Sequence, residues 1–180
     1  QRQMCIRDRS NAIGNGVNET VITLKDDKYP VTVKLHYVAY GKENIIRAFS
    51  EISHEEKKPV ILCKYASSML HLNSSKYFLT EFSGDWAHEA NVTERELAFG
   101  KKVIDTKLGA RANMFVSPFF QLALDNPSQE NAGEVLVGTI GWTGNFRFTF
   151  EVDNKNELRI ISGINPYDSE YSLPALSLIH

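Results

Sequence analysis

The sequence predicts an all-β chain folded as an antiparallel β-sandwich, and three observations carry that prediction. Phe146, Phe148, Phe150 and Val152 alternate with Asn145, Arg147, Thr149 and Glu151. That period of two puts every aromatic of the run on one face of a strand. After the polar turn Asp153-Asn154-Lys155-Asn156, a second strand carries Leu158 and Ile160 on one face and ends at Gly163 and Pro166, so the two strands read as an antiparallel hairpin. Upstream, five turns recur at near-regular spacing before residue 110, which suits a sandwich and poorly suits βαβ repeats.

From Thr20 each element follows from the same alternation. Val21, Ile22 and Leu24 lead into the turn Asp26-Asp27-Lys28, after which Val31, Val33, Leu35, Tyr37 and Ala39 alternate with Thr32, Lys34, His36 and Val38. Gly41 to Asn44 is the next turn. Ile46, Ala48, Ser50 and Ile52 continue to a charged loop, His54 to Lys58, and Pro59 opens an apolar strand predicted to run through Leu72. Thr93 could cap a helical turn with Glu96 three residues on, but the flanking β-branched residues favour strand or turn over 91–97. The stretch 109–127 is less periodic. It reads as a structured loop before a short strand at Phe119–Leu124, followed by a polar loop from Asp125 to Gly133. No internal repeat or low-complexity linker divides 11–173, which therefore reads as one domain.

A chain of 180 residues with 42% hydrophobic content can bury a sizeable core, since a domain near 150 residues hides roughly 70% of its unfolded surface. The formal charge is −2, and Lys and Arg are scattered without a basic block, which argues against a nucleic-acid partner. No apolar run approaches the roughly 20 residues of a spanning helix, so no membrane partner is expected. Residues 1–10 and 174–180 lack the pattern of the body and read as adapter-derived or disordered sequence outside the domain. Setting them aside leaves Cys63, beside Val60, Ile61 and Leu62, as one thiol that reads as a small buried hydrophobe. The compartment stays open between cytoplasm and periplasm.

Candidate chemistry is sparse. His36, His54, His71 and His88 include no pair at helical metal-ligand spacing, and Cys63 has no partner, so neither a metal nor another cofactor is expected. Asp85-Trp86 places a carboxylate beside an aromatic, as sugar sites do, yet reads first as a structural or domain contact. Gly138, Gly141 and Gly144 depart from the dinucleotide-binding spacing, precede no helix, and read as bulges or a tight bend. Three Asn-x-Ser/Thr sequons, at Asn18, Asn73 and Asn91, assign no compartment.

The segments SGDWAHE at 83–89, NMFVSPFF at 113–120, GWTGNFR at 141–147 and GINPYD at 163–168 occur in this order within Gly16–Leu173. Together they resemble the N-terminal β-sandwich domain of the α-galactosidases of glycoside hydrolase family 36. The resemblance implies a supersandwich that does no chemistry and that is incomplete here at its N-terminal side, where the family's earlier strands and a loop toward a neighbouring subunit's sugar pocket are absent. Glycoside hydrolysis with retention needs two carboxyl groups about 5 to 5.5 Å apart. In the family both belong to a following (β/α)8 barrel of about 250 residues, with the nucleophile in a Lys-Trp-Asp context. No Lys-Trp-Asp occurs here. No catalytic, substrate-binding or metal residue is therefore assigned within the chain. The implied parent is a retaining enzyme releasing terminal α-linked galactose from raffinose-type oligosaccharides, with this part bracing the barrel and contributing to homo-oligomer contacts.

In that reading Trp86 packs between sheets or against the barrel. Trp86, Phe119 and Phe120 form an apolar docking face, and the chain alone folds partially or aggregates. The stretch ARANMFV at 110–116 departs from a His- and Ser-rich stretch in many members, which indicates a subfamily. The competing reading is a free-standing sandwich that binds carbohydrate or protein through Tyr37, Tyr40, Trp86 and Trp142.

Overall fold

Side-chain alternation at period two becomes a succession of strands joined by turns rich in Gly, Asn and Asp. A computed structural model describes residues 4–179. In chain order the strands are β1 (Met4–Gly14), β2 (Val17–Asp26), β3 (Val31–Tyr40), β4 (Ile45–His54), β5 (Val60–Leu62), β6 (Ser68–Asn73), β7 (Tyr77–Asp85), β8 (His88–Glu96), β9 (Gly100–Asp105), β10 (Val116–Gln129), β11 (Ala132–Thr139), β12 (Phe146–Val152), β13 (Glu157–Ile164), β14 (Tyr171–Leu173) and β15 (Leu178–Ile179). A single 3-10 turn is described, at Gly109–Arg111. The ladders are antiparallel throughout the described residues.

The strands form two compact units, 1–64 with 170–180 and 65–169.

The first unit holds a sheet in the order β1-β2-β3-β4-β15 and the small pair β14-β5. Its first hairpin turns through Gly14, Asn15 and Gly16, all at positive φ. The second is closed by Asp26, whose Oδ1 accepts the amides of Lys28 at 2.9 Å and Tyr29 at 3.1 Å. Residues 4–10 and 178–179, set apart from the domain in sequence, lie in strands: Met4 to Ser10 pair with Asp26 to Thr20, and Leu178 and Ile179 with Ser53 and Ile52. A main-chain ladder needs no side-chain alternation, so their irregular pattern hid the pairing.

The second unit stacks the sheet β11-β10-β7-β8 on the sheet β6-β13-β12-β9. Phe146, Phe148, Phe150 and Val152 are buried, as their alternation predicts, and Leu158 and Ile160 join them from β13. From the facing sheet come Tyr77, Leu79, Phe120 and Leu122. Phe120 meets Phe148 and Phe150 edge to face, with centroids 5.2 and 4.9 Å apart. Such pairs add about 0.5–1.5 kcal/mol each beyond the area they bury. Phe120 is thus a core residue and not part of an open docking face, a correction that follows from its pairing with Gly138 and Glu81.

Gly138 marks no bulge. The Phe120 ring occupies the place where a Cβ at 138 would stand. On the opposite face of the same sheet, Phe82 and Phe119 pack 5.2 Å apart beside Val92, Val135 and Val137, whose side chains are exposed.

Three predicted boundaries move. The apolar run from Pro59 to Leu72 splits into β5 and β6, because β5 pairs with β14 in the first unit while β6 pairs with β13 in the second. Cys63 falls in the intervening link and is exposed, contrary to the buried reading. The region 125–133 is not a loop, since β10 begins at Val116 and runs on to Gln129 past an irregularity after Leu124. There Asp125, at positive φ, accepts Ser74 Oγ at 2.6 Å, Ser75 Oγ at 2.8 Å and Ser75 N at 2.9 Å.

Phe148→Ala is expected to lower unfolding stability by about 3–5 kcal/mol, and Gly138→Ala by about 1–3 kcal/mol because the buried ring has nowhere to go; denaturant melts of the chain check both. The hydroxyls of Ser74 and Ser75, with the Ser75 amide, hold the Asp125 carboxyl below its ordinary value. The amides of Glu157 and Lys155 do the same for Asp153. Both groups are lowered in the folded state, so their stabilisation is complete above the ordinary carboxylate range and is lost as pH falls through the lowered values. Thermal melts taken downward from about pH 5 are expected to fall more steeply for the native chain than for the D125N/D153N double variant.

Candidate functional site

The segments that carried the family resemblance lie far apart in sequence, and hydrogen bonds of the second unit fasten them together. Gly84 N–H donates to Phe115 O at 3.0 Å, joining the β7–β8 hairpin to the loop before β10. Pro118 O accepts Thr139 Oγ1 at 2.8 Å. Gly109 N–H donates to Asn145 Oδ1 at 2.7 Å, and Asn165 N–H to Asn145 O at 2.9 Å. Asn165 is buried; its Nδ2 donates to Thr106 O at 2.9 Å and its Oδ1 accepts Tyr167 N–H at 3.1 Å. Arg147 Nη2 and Nε both reach Asp105 Oδ2, at 2.7 and 3.1 Å. The asparagines and the arginine of GWTGNFR and GINPYD are therefore fasteners of loops. Sequence reasoning missed this because the partners, Asp105, Thr106 and Gly109, lie in a stretch without a motif.

Two hollows open among these loops. The larger, about 480 Å³, lies between the β7–β8 hairpin and residues 113–117 and is lined by Ser83, Asp85, Trp86, Glu89, Asn113 and Ser117 among others. The smaller, about 250 Å³, has Trp142, Thr143 and Pro118 on its walls and shares Asn113. Trp86 is 89% exposed, so the expectation that it packs between sheets is corrected. It stands at a hairpin tip, after Asp85 and before Ala87 at φ 64°. Trp142 is half exposed, and its Nε1 lies 2.7 Å from where a Cβ on Gly144 would be, so Gly144 serves close approach and not a bulge.

The histidines do not converge. His71 and His88 are exposed. His54 is buried, with Nδ1 accepting Glu56 N–H at 3.3 Å. His36 belongs to the first unit, where it stacks on Phe49 at 4.5 Å between Glu19 at 3.0 Å and Glu51 at 3.4 Å. Among the described residues, no three His, Cys, Asp or Glu side chains are grouped as metal ligands. Tyr37 is exposed and Tyr40 half-buried, both on β3, away in sequence from either hollow. The arrangement offers binding groups, an exposed indole among carboxylates, an amide and hydroxyls.

The sequence profile of the glycosyl hydrolase family 36 N-terminal domain matches residues 7–174. The chain belongs to this family. Curated relatives include Alpha-galactosidase AgaA of Geobacillus stearothermophilus, 28% identical over 152 residues, which are 84% of this chain and 21% of that protein. Alpha-galactosidase 2 of Pediococcus pentosaceus is 29% identical over 157 residues, 87% of this chain and 22% of its own length. The chain thus spans about a fifth of the length of these relatives. The crystal structure of AgaA superposes with a TM-score of 0.81 at 24% identity, covering 99% of this chain and 27% of that chain. An α-galactosidase from Lactobacillus brevis does so with a TM-score of 0.81 at 22% identity. These superpositions establish the sandwich fold.

Asn165→Ala removes the donor to Thr106 O and the acceptor of the Tyr167 amide. It is expected to cost about 1–3 kcal/mol and to speed hydrogen exchange at the Tyr167 and Gly109 amides more than at the β12 amides.

Proposed function

We propose that this chain is the non-catalytic N-terminal sandwich of a retaining α-galactosidase. The observation that carries the reading is family membership over 7–174 together with curated relatives that are α-galactosidases about four times as long as this chain. Variants of AgaA are known in complex with raffinose and with stachyose, which supports terminal α-galactosides of that type as the parent's substrates. Chemistry of this kind needs two opposed carboxyl groups, and in the proposed enzyme both come from a barrel beyond this sequence.

The sandwich then acts as a brace. The apolar outer face of β11-β10-β7-β8, with Phe82, Phe119, Val92 and Val137, is proposed as the surface the barrel covers. Burying it against the barrel gains about 25 cal/mol per Å² and closes a sheet face that water would otherwise meet. Subunit contacts within a homo-oligomer are part of the same proposal.

The reading frame surrounding this sequence, expressed whole, is expected to release p-nitrophenol from p-nitrophenyl α-galactoside, whereas the 180-residue chain is expected to release none. In the whole enzyme Val137→Glu should lower the temperature of half-inactivation while leaving KM unchanged. Galactose release by the purified chain would overturn the reading.

A further inference from the structure

Among the described strands that end a sheet in the second unit, β6 alone is unguarded. β9 carries Lys101, Lys102 and Asp105; β8 carries Glu89, Glu94, Arg95 and Glu96, with Ala90 at φ 55°; β11 carries Glu134 and meets β10 in an irregular register. Charges and irregularities of this kind keep an edge from pairing with another chain. β6, Ser-Met-Leu-His-Leu-Asn, has no Asp, Glu, Lys, Arg or Pro. It runs in unbroken register against β13, from Ser68 opposite Ser162 to Asn73 opposite Glu157. One side of its backbone is thus held straight by β13, while the other side pairs with no described strand.

The side chains at this edge are open as well. Leu70 stands opposite the buried Ile160 and so belongs to the inward face, yet it is 49% exposed. Met69, on the outward face opposite Ile161, is 65% exposed. The apolar core therefore reaches the margin of the sheet without being closed there. The sequence indicates what closes it. Residues 67–75 read Ser-Ser-Met-Leu-His-Leu-Asn-Ser-Ser, nearly the same in both directions about His71. When two such strands pair antiparallel with His71 at the centre, Leu70 of each copy faces Leu72 of the other, His71 faces His71, and Met69 faces Asn73. A contact with two-fold symmetry requires that a residue i facing j be matched by j facing i. A strand that reads alike from both ends meets this requirement with like chemistry, leucine on leucine inside, and opposes no two permanent charges.

We infer that β6 is a surface for a second copy of this chain, joining two copies edge to edge about a two-fold axis at His71, so that two four-stranded sheets become one of eight strands. Main-chain hydrogen bonds supply the ladder, and the inward leucines join the margins of the two cores. Each edge is used once, so the assembly closes at two copies. The inference names a surface for the homo-oligomer contacts proposed above and to that extent rests on that reading; the sheet β11-β10-β7-β8 takes no part in it.

Sedimentation velocity of the 180-residue chain tests this. A monomer–dimer equilibrium with Kd of about 10–100 µM is expected, as for a contact made by one short strand. His71→Lys sets two ammonium groups against each other on the axis and should weaken the dimer about tenfold or more. Because His71 is exposed, the same substitution should leave the denaturation midpoint of the monomer unchanged. With Cys5→Ser and Cys63→Ser in place, oxidation should link two copies of the His71→Cys variant and far fewer of the Met69→Cys variant, whose position faces Asn73. A chain that stays monomeric about tenfold above that Kd range, a dimer that H71K leaves intact, or equal cross-linking from positions 69 and 71 overturns the inference. Should the chain aggregate, the two cysteine variants are made in the parent enzyme. Linkage of two parent chains that requires the thiol introduced at 71 upholds the surface; no linkage, because another strand of the parent or another protein covers the edge, overturns it. Galactose release by the parent is unaffected by any of these outcomes and tests the earlier proposal separately.

Discussion

One steric constraint organises the second unit: the Phe120 ring lies across Gly138 in its own sheet and meets Phe148 and Phe150 from the other. No side chain larger than hydrogen fits at 138 while the ring stays there, and without the ring the two inner faces lose their interdigitation. The register of β10 against β11 and the stacking of the two sheets are thus fixed by one glycine–phenylalanine pair. Leu79, Leu122, Leu158 and Ile160 fill the space that this crossing defines. At one margin, Glu81 on β7 holds Arg95 of β8 at 2.6 Å and Lys102 of β9 at 2.9 Å, so an ion cluster spans the two sheets beside the apolar centre.

The loops inherit this rigidity. Asn145 and Arg147 lie at the entry to β12 and Asn165 just past β13, so the strands that build the core also position the fasteners of the loop cluster. A buried asparagine with its hydrogen bonds satisfied specifies one loop arrangement among many. The exposed indole and unspent polar groups of the cleft are carried on that framework, whereas the outer apolar face of β11-β10-β7-β8 is a property of the strands alone. One unit thereby presents two surfaces of different chemistry.

Period two was legible wherever a strand has one dry face, as with Phe146 to Val152, and so were the polar turns at Asp26, Gly41 and Asp153. Partners distant in sequence were not. Whether Val60–Leu62 and Ser68–Asn73 are one strand or two depends on β14 and β13, about a hundred residues downstream. The continuation of β10 beyond Leu124 depends on Asp125 meeting Ser74 and Ser75, some fifty residues away. Cys63 looked buried from its apolar neighbours, but exposure is decided by the departure of the chain from one sheet toward another. The motifs of the candidate site were visible as strings; their convergence, and the roles of Asp105 and Asn113, were not.

The pairing of β6 with β13, in which Leu72 faces Leu158, has a temporal consequence. During synthesis β6 emerges long before its partner, and non-local ladders of this kind close slowly because the intervening loop must first be ordered. A ribosome-bound chain that has made β7 to β11 already owns one complete sheet, with Phe120 and Leu122 facing nothing. Its vulnerable interval ends when the last few residues of β13 clear the exit tunnel and the second sheet can close over the first.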